Sequence, residues 1–358
     1  MRLKQYRIMS KIKFYFILLI AAITVSSCNK DDNNVEVTPP IPFAEQYPKD
    51  SLAIYNYLKA NYISEIVNNP GFPDDQDITI KEIPEGEVHP SLYSYLNSPT
   101  LPRLSSRNVA LHGITYKLYY LVVREGVKGG TIPSGGEYPC NVDGVFAGYK
   151  LSLLDGTTVQ TSNNTQILFN LDGTAHDGGG AVYVRGWSEG FPQFKTGWLS
   201  SDSDGTIKNN GFGAGVLFIP SGLGYYNQGT DDIPAYSPLV YGIKLYALKR
   251  YDHEINSPPS GSYRDPDGIP SFLEDLDGDR YIYTFASGVP NPDDTDGDGI
   301  PDCYDSDDDG DGYATKGEIK DAKGEYYEFS KIPDCSGDQT NLDRLKRHLD
   351  KNCTKMNQ

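Results

Sequence analysis

The chain has 358 residues, with 49 Asp and Glu against 32 Lys and Arg and a formal charge of −17. Residues 265 to 311 hold sixteen acids and one Arg, so −15 of that total falls in one short stretch. A charge this acidic and this local excludes nucleic acid as a partner and points to bound cations.

In chain order, Met1 to Lys13 carries five basic residues and no acid, and Phe14 to Ile23 is wholly apolar. This is the pattern of a signal peptide, 1–27. The apolar run is shorter than the roughly 20 residues a spanning helix needs, so removal is expected. The segment ends Val25-Ser26-Ser27-Cys28, which resembles a lipobox and implies a bacterial lipoprotein whose mature form begins at a lipidated Cys28. Several acyl chains, each burying about 0.8 kcal/mol per CH₂, hold a protein at a membrane without any spanning helix.

Residues 28–43 are polar, then proline-rich, and read as a tether. Their Lys30-Asp31-Asp32 cluster resembles an export signal of outer-membrane lipoproteins; both the periplasmic and the cell-surface face remain open. Residues 44–109 form an N-terminal extension in which Tyr55, Leu58 and Tyr62 recur at helical spacing. A helix is expected over Asp50–Ile63, with Asp50 or Ser51 as its cap. Residues 64–108 define no element.

From 110 to 252 the period becomes two. Tyr116, Leu118, Tyr120 and Val122, then Tyr149, Leu151 and Leu153, then Leu239, Tyr241, Ile243 and Leu245 mark half-buried antiparallel strands. Gly, Pro, Asn and Asp clusters mark the turns, and one short helix fits between Gly186 and Phe194. The class is α+β with a dominant sheet. A linker, 253–264, contains Pro258-Pro259-Ser260-Gly261-Ser262. An acidic module, 265–358, ends in an expected amphipathic helix over Asn341–Lys351.

The sheet region carries landmarks in a fixed order: Tyr149 with Leu154-Asp155-Gly156, then Val184-Arg185-Gly186-Trp187-Ser188-Glu189-Gly190, then Phe218-Ile219-Pro220-Ser221-Gly222-Leu223-Gly224-Tyr225, then Ile233-Pro234 and Leu239-Val240-Tyr241. Together they resemble the FKBP-type peptidyl-prolyl isomerases over roughly 140 residues. The resemblance implies a curved antiparallel sheet wrapped on one short helix and a pocket with Trp187 as its floor. Tyr149, Ile167, Val184, Tyr225, Ile233 and Tyr241 would form the walls. The Val184 backbone N–H and the Tyr225 hydroxyl would donate to a bound proline-containing polypeptide. Catalysis would need no cofactor. Active members usually carry Phe-Asp where this chain has Val159-Gln160, Tyr183 replaces a smaller aliphatic residue, and an insertion runs from about Trp198 to Gly213.

The acidic module has Asp307-x-Asp309-x-Asp311-Gly312-Tyr313 followed by Glu318, which meets the EF-hand loop pattern at positions 1, 3, 5, 6, 7 and 12. Alternate oxygen ligands converge on one calcium ion because the loop curls at the glycine; Tyr313 would offer its carbonyl and Glu318 both oxygens. Upstream, Asp294, Asp296, Asp298, Asp302 and Asp305 repeat the theme, and the two runs together resemble thrombospondin type 3 repeats. Structural calcium is therefore expected. Asp265-x-Asp267 and Asp275-x-Asp277-x-Asp279 are weaker copies.

Besides Cys28, Cys140, Cys303, Cys335 and Cys353 allow three pairings in an oxidising compartment. Cys303 with Cys335 or Cys353 is expected, since these three share the C-terminal region. Two functions compete: prolyl isomerisation outside the cytoplasm, or non-catalytic surface binding and adhesion. Gly186-Trp187-Ser188-Glu189-Gly190 also fits a nucleophile elbow. That motif needs parallel strands alternating with long helices, and the pattern has neither.

Overall fold

A computed structural model describes residues 39–129, 135–174, 181–182, 184–256 and 263–353. The signal peptide, Cys28, most of the tether, Tyr183 and the Pro258–Ser262 linker lie outside the described residues. Among the described residues no helix is long and apolar enough to cross a membrane.

The first helix, α1, runs Phe43–Ala60, seven residues upstream of its expected start, and gives way to a strand, β1 (Asn61–Ile66), where the helix was expected to continue. The stripe it buries is Gln46, Asp50, Ile54 and Leu58, a strict i, i+4 series that forms one face of a helix. Asp50 is therefore not a cap but a mid-helix residue facing inward. Antiparallel pairing joins β1 to β2 (Ile78–Glu82).

The large sheet begins with β3 (Arg103–Leu111), ahead of the boundary expected at 110, and β4 (Ile114–Arg124). His112 and Gly113 join them with φ of 55° and 73°, the doubly left-handed turn whose twist suits a two-residue hairpin. The sheet is completed by β5 (Gly144–Leu153), β6 (Thr158–Thr161), β7 (Ile167–Asn170), β8 (Ala181–Val182), β11 (Gly213–Ile219) and β12 (Leu239–Lys249). The order is β3-β4-β11-β12-β5-β7-β8, with β6 on β5. Every pairing is antiparallel except β7 with β8. The expected α+β class and mostly antiparallel sheet are present.

All seven residues of β11 are buried, because both faces of the sheet are covered. Leu217 and Ile219 enter one apolar cluster, which contains Trp187. Val216 and Phe218 enter a second, with Ile54 and Leu58 of α1. A strand covered on both sides loses the polar alternation that one solvated face imposes. The single helix on the first face, α2 (Arg185–Gly190), extends as a 3-10 turn through Gln193. A Cβ at Gly186 would strike Ile219, and one at Gly190 would strike Leu217, so these glycines let the helix lie directly on β11. The insertion after it folds as a hairpin, β9 (Trp198–Ser201) with β10 (Ile207–Asn210).

Beyond β12 the chain is mostly turns. A two-residue pairing joins β13 (Ile255–Asn256) to β14 (Tyr263–Arg264), and one helical turn, α3, covers Thr315–Glu318. The expected helix over Asn341–Lys351 is absent: that stretch holds turns and a 3-10 turn, Arg347–Leu349. Leu342 and Leu345 are exposed and have no surface against which a helical stripe could pack. Arg344 instead donates to the carbonyls of Ile332, Asn341 and Ser330. The disulfide also departs from expectation. Cys335 pairs with Cys353, with Cα atoms 5.4 Å apart, while Cys303 is a buried thiol in an apolar cluster with Cys140, Val142 and Ile282.

Candidate functional site

Trp187 lies in the first turn of α2 and is 0% exposed. Its indole meets Phe169 and Phe191 at centroid distances of 4.8 Å each, Tyr241 at 5.2 Å and Tyr149 at 5.4 Å. The Phe169, Tyr241 and Tyr149 contacts are edge-on, the arrangement aromatic quadrupoles favour. Strands β5, β7 and β12 supply Tyr149, Phe169 and Tyr241, so three strands and one helix fix the ring. The same apolar cluster contains Ile233, and Val159, Ile167, Val184 and Tyr225 pack against it half-buried. The structure thus brings eight of the ten pocket positions read from the sequence to one place. Gln160 points to solvent on β6, and Tyr183 is outside the described residues.

Sequence reasoning missed Phe169 and Phe191. Phe191 follows the helix motif directly, and Phe169 sits two positions after Ile167 on the same strand face, a period-two signal that was available. An opening of about 420 Å³ is lined chiefly by Tyr57, Ile78, Ile80, Val240 and Lys244 on the other face of the sheet; Tyr149 also borders it, and Trp187 does not. The nucleophile-elbow alternative fails on geometry. Ser188 is buried, and its hydroxyl donates to the Arg185 carbonyl at 2.9 Å within the helix.

The far side of α2 is held by the acidic module. Glu189 is fully buried and pairs with Arg107 at 3.2 Å and Arg185 at 2.9 Å. The Tyr283 hydroxyl donates to its carboxylate at 2.8 Å, and the Tyr281 hydroxyl donates to its backbone carbonyl at 2.8 Å. Arg107 stacks over the Tyr281 ring, 3.1 Å from the centroid. Burial pushes the Tyr281 and Tyr283 hydroxyls well above the usual phenol range, so both stay protonated donors. At the loop before β5, the Asn141 side chain donates to the Ile282 carbonyl and accepts from its N–H, both at 2.9 Å. The module is therefore docked beside the pocket helix.

Within the module, Asp307, Asp309 and Asp311 each bring a carboxylate oxygen within 4.8 Å of the others, and so do Asp294, Asp296 and Asp298. Gly312 and Gly299 take φ of 93° and 102°, the curl such loops require. Asp307 Oδ1, Asp309 Oδ2, Asp311 Oδ2 and both Glu318 oxygens lack a protein partner, a donor set that fits calcium. Burial and the Asp309 and Asp311 charges push the Glu318 carboxyl up to about 9. Tyr313 is exposed at the loop's rim. Asp302 and Asp305 are engaged locally instead: Asp302 accepts from Thr295, and Asp305 from the N–H groups of Ser306 and Asp307.

Residues 264–342 match the family described as the BamM C-terminal region, well under half of the chain. No curated protein matches the sequence. Among solved structures, FkpA from Escherichia coli is 30% identical over 37% of this chain and 48% of its own, with a TM-score of 0.27. A peptidyl-prolyl cis-trans isomerase from Pseudomonas syringae is 19% identical over 43% and 86%, at 0.29. The three FKBP domains of wheat FKBP73 are 15% identical over 37% and 46%, at 0.26. The chain thus spans about half the length of FkpA, and with every TM-score below 0.5 no residue is assigned from these superpositions.

Proposed function

We propose that the sheet domain binds proline-containing segments of polypeptides outside the cytoplasm and catalyses rotation about the X-Pro bond in the manner of FKBP-type isomerases. The observation that carries this reading is the Trp187 indole, enclosed by Tyr149, Phe169, Phe191 and Tyr241 at the start of a short helix on a mostly antiparallel sheet. The barrier to rotation, about 18 to 20 kcal/mol, comes from amide resonance, so no nucleophile, proton transfer or cofactor is required. A dry apolar floor favours the twisted, less polar amide over the planar one. The Val184 N–H and the Tyr225 hydroxyl would fix the peptide by donating to its carbonyls.

A second reading has two observations in its favour. Gln160 is exposed and neutral where active members carry a carboxylate, and Trp187 is wholly covered. Such a site would bind without catalysing. A proline-isomerisation assay on the chain freed of its leader separates the two. The parent should accelerate the reaction, and Trp187→Ala and Tyr225→Phe should each lower the rate, the first by about tenfold or more. Equal rates with and without protein, alongside retained peptide binding, would leave the binding reading standing alone.

The proposal includes a membrane attachment through lipid on Cys28, supported by the lipobox-like Val25-Ser26-Ser27-Cys28. It also includes structural calcium in the Asp307–Glu318 loop, supported by its convergent, unpartnered oxygens, and in the Asp294–Asp298 run, supported by the convergence of its three carboxylates. The match of residues 264–342 to the BamM C-terminal region supports treating the acidic module as a unit.

A further inference from the structure

One acidic cluster lies outside the Asp294 and Asp307 loops, and only Asp267 in it belongs to an Asp-x-Asp pair. Asp252 and Glu254 follow β12, the last strand of the large sheet, and meet Asp267 from the start of the acidic module. One carboxylate oxygen from each lies within 4.8 Å of the other two. Glu254 and Asp267 are 0% and 1% exposed, and behind them Glu274 and Asp308 are each 2% exposed.

Part of each first-named carboxylate is satisfied by backbone. Asp252 Oδ2 accepts from the Gly268 N–H at 3.0 Å, Glu254 Oε2 from the Asp267 N–H at 3.1 Å, and Asp267 Oδ1 from the Ile269 N–H at 2.6 Å. The remaining oxygens, Asp252 Oδ1, Glu254 Oε1 and Asp267 Oδ2, receive no bond from an N–H or hydroxyl of the protein, and neither does either oxygen of Glu274; the Asp252 and Glu254 carboxyls lie within hydrogen-bonding reach of each other. Glu274 lies in the same acidic neighbourhood, with the charges of Glu254, Asp308, Asp267 and Asp302 bearing on it. The nearby cation, Lys316, is engaged by Asp265 at 2.7 Å.

Buried carboxylates without partners cost several kcal/mol each, and proteins keep them where they are paired or bind a metal. Here one oxygen of each of Asp252, Glu254 and Asp267 is held by a backbone N–H, which fixes the carboxylates as a ligand set rather than leaving them free to turn. We propose that Asp252, Glu254 and Asp267 form a buried site for a hard divalent cation, calcium, that joins the end of the sheet to the acidic module. An all-carboxylate set in irregular backbone suits calcium, which takes six to eight oxygens at about 2.3 to 2.6 Å in flexible geometry. Magnesium demands a near-ideal octahedron and keeps its waters. The site is separate from the peptide pocket and from the Asp294 and Asp307 loops. Asp252 and Glu254 precede the β13–β14 pairing and Asp267 follows it, so the cation would secure the docking of Tyr281 and Tyr283 on α2.

The test is the position and number of bound ions in the chain freed of its leader. In crystals grown with strontium in place of calcium, an anomalous peak within coordination distance of Glu254 and Asp267 is expected. In solution, elemental analysis after dialysis against calcium should find one fewer ion per chain in Glu254→Gln with Asp267→Asn than in the parent. Asp307→Asn with Asp309→Asn should keep the Glu254 ion. Peaks in the Asp294 and Asp307 loops but none at Glu254 would overturn this site and leave the loops standing. No peak at any of them would overturn both. Because the crystallographic arm uses the unaltered chain, a variant that fails to fold does not rescue the proposal.

Discussion

Asp50 is one of two helix-cap candidates in the sequence, with Ser51, and its partners explain why it is something else. Its carboxylate accepts from the Ser221 N–H at 2.8 Å, the Ser221 hydroxyl at 2.6 Å and Gln46 Nε2 at 2.6 Å. This pins α1 to the Ser221-Gly222-Leu223-Gly224 turn that leads to Tyr225. Truncating it leaves buried donors unpaired, so Asp50→Ala should cost about 2 kcal/mol or more in urea unfolding. Burial raises the Asp50 carboxyl above its usual value in spite of these bonds. The folded chain therefore holds a proton at pH values where the unfolded chain has released it. Its contribution to stability is fullest below the unfolded value of roughly 4 and falls as pH rises through the folded one. Asp50→Asn should lack that fall; identical pH slopes for the two proteins would refute the assignment.

At the scale of elements, α2 is held from two directions. Its Trp187 face packs into the sheet, and its Glu189 is clamped by Arg107, Arg185 and Tyr283. A buried carboxylate whose charge is removed leaves its arginines uncompensated, so Glu189→Gln should lower stability by about 3 kcal/mol. Tyr283→Phe, which removes one charge-assisted bond, should lower it by about 1 to 2 kcal/mol. Thermal or urea melts decide this, and losses under about 0.5 kcal/mol for both would mean the clamp is a surface ornament. The elements that failed to appear as expected have a common cause. The tail at Asn341–Lys351 has helical spacing, but Leu342 and Leu345 find nothing to cover, and packing rather than propensity makes most short helices stable. Strand β3 carries little signal in the sequence because Arg103–Leu111 is an edge strand with polar residues on both faces, Arg103, Ser105 and Arg107 on one and Ser106 and Asn108 on the other, and no alternation marks it until β4 is beside it.

For the whole molecule, the sheet and the acidic module rest on different physics. The sheet buries two apolar clusters across its two faces. The module has only small ones, such as Ile269 with Ile319 and Ile332, and a high density of carboxylates. Removing divalent cations should therefore loosen residues 263–353 while residues 103–249 keep their protection. A cation bound at 100 to 1,000 times its dissociation constant stabilises by about 3 to 4 kcal/mol. Hydrogen exchange with and without a chelator reads this directly, and equal protection of the module in both conditions would remove calcium from the account.

The period-two runs at Tyr116, Tyr149 and Leu239, the short helix at Trp187 and the Asp307 loop were legible in the sequence. Each is a local pattern: a strand's alternation, a helix motif or a ligand spacing is written within about a dozen residues. Only the tertiary structure decided that Asp50 serves Ser221, 171 residues away, that Cys335 rather than Cys303 pairs with Cys353, and that the module docks on α2. It alone brought Asp252 and Glu254 to Asp267. Partners such as these are chosen by proximity in space, and an acid that will lose its water on folding carries no mark of it in the chain.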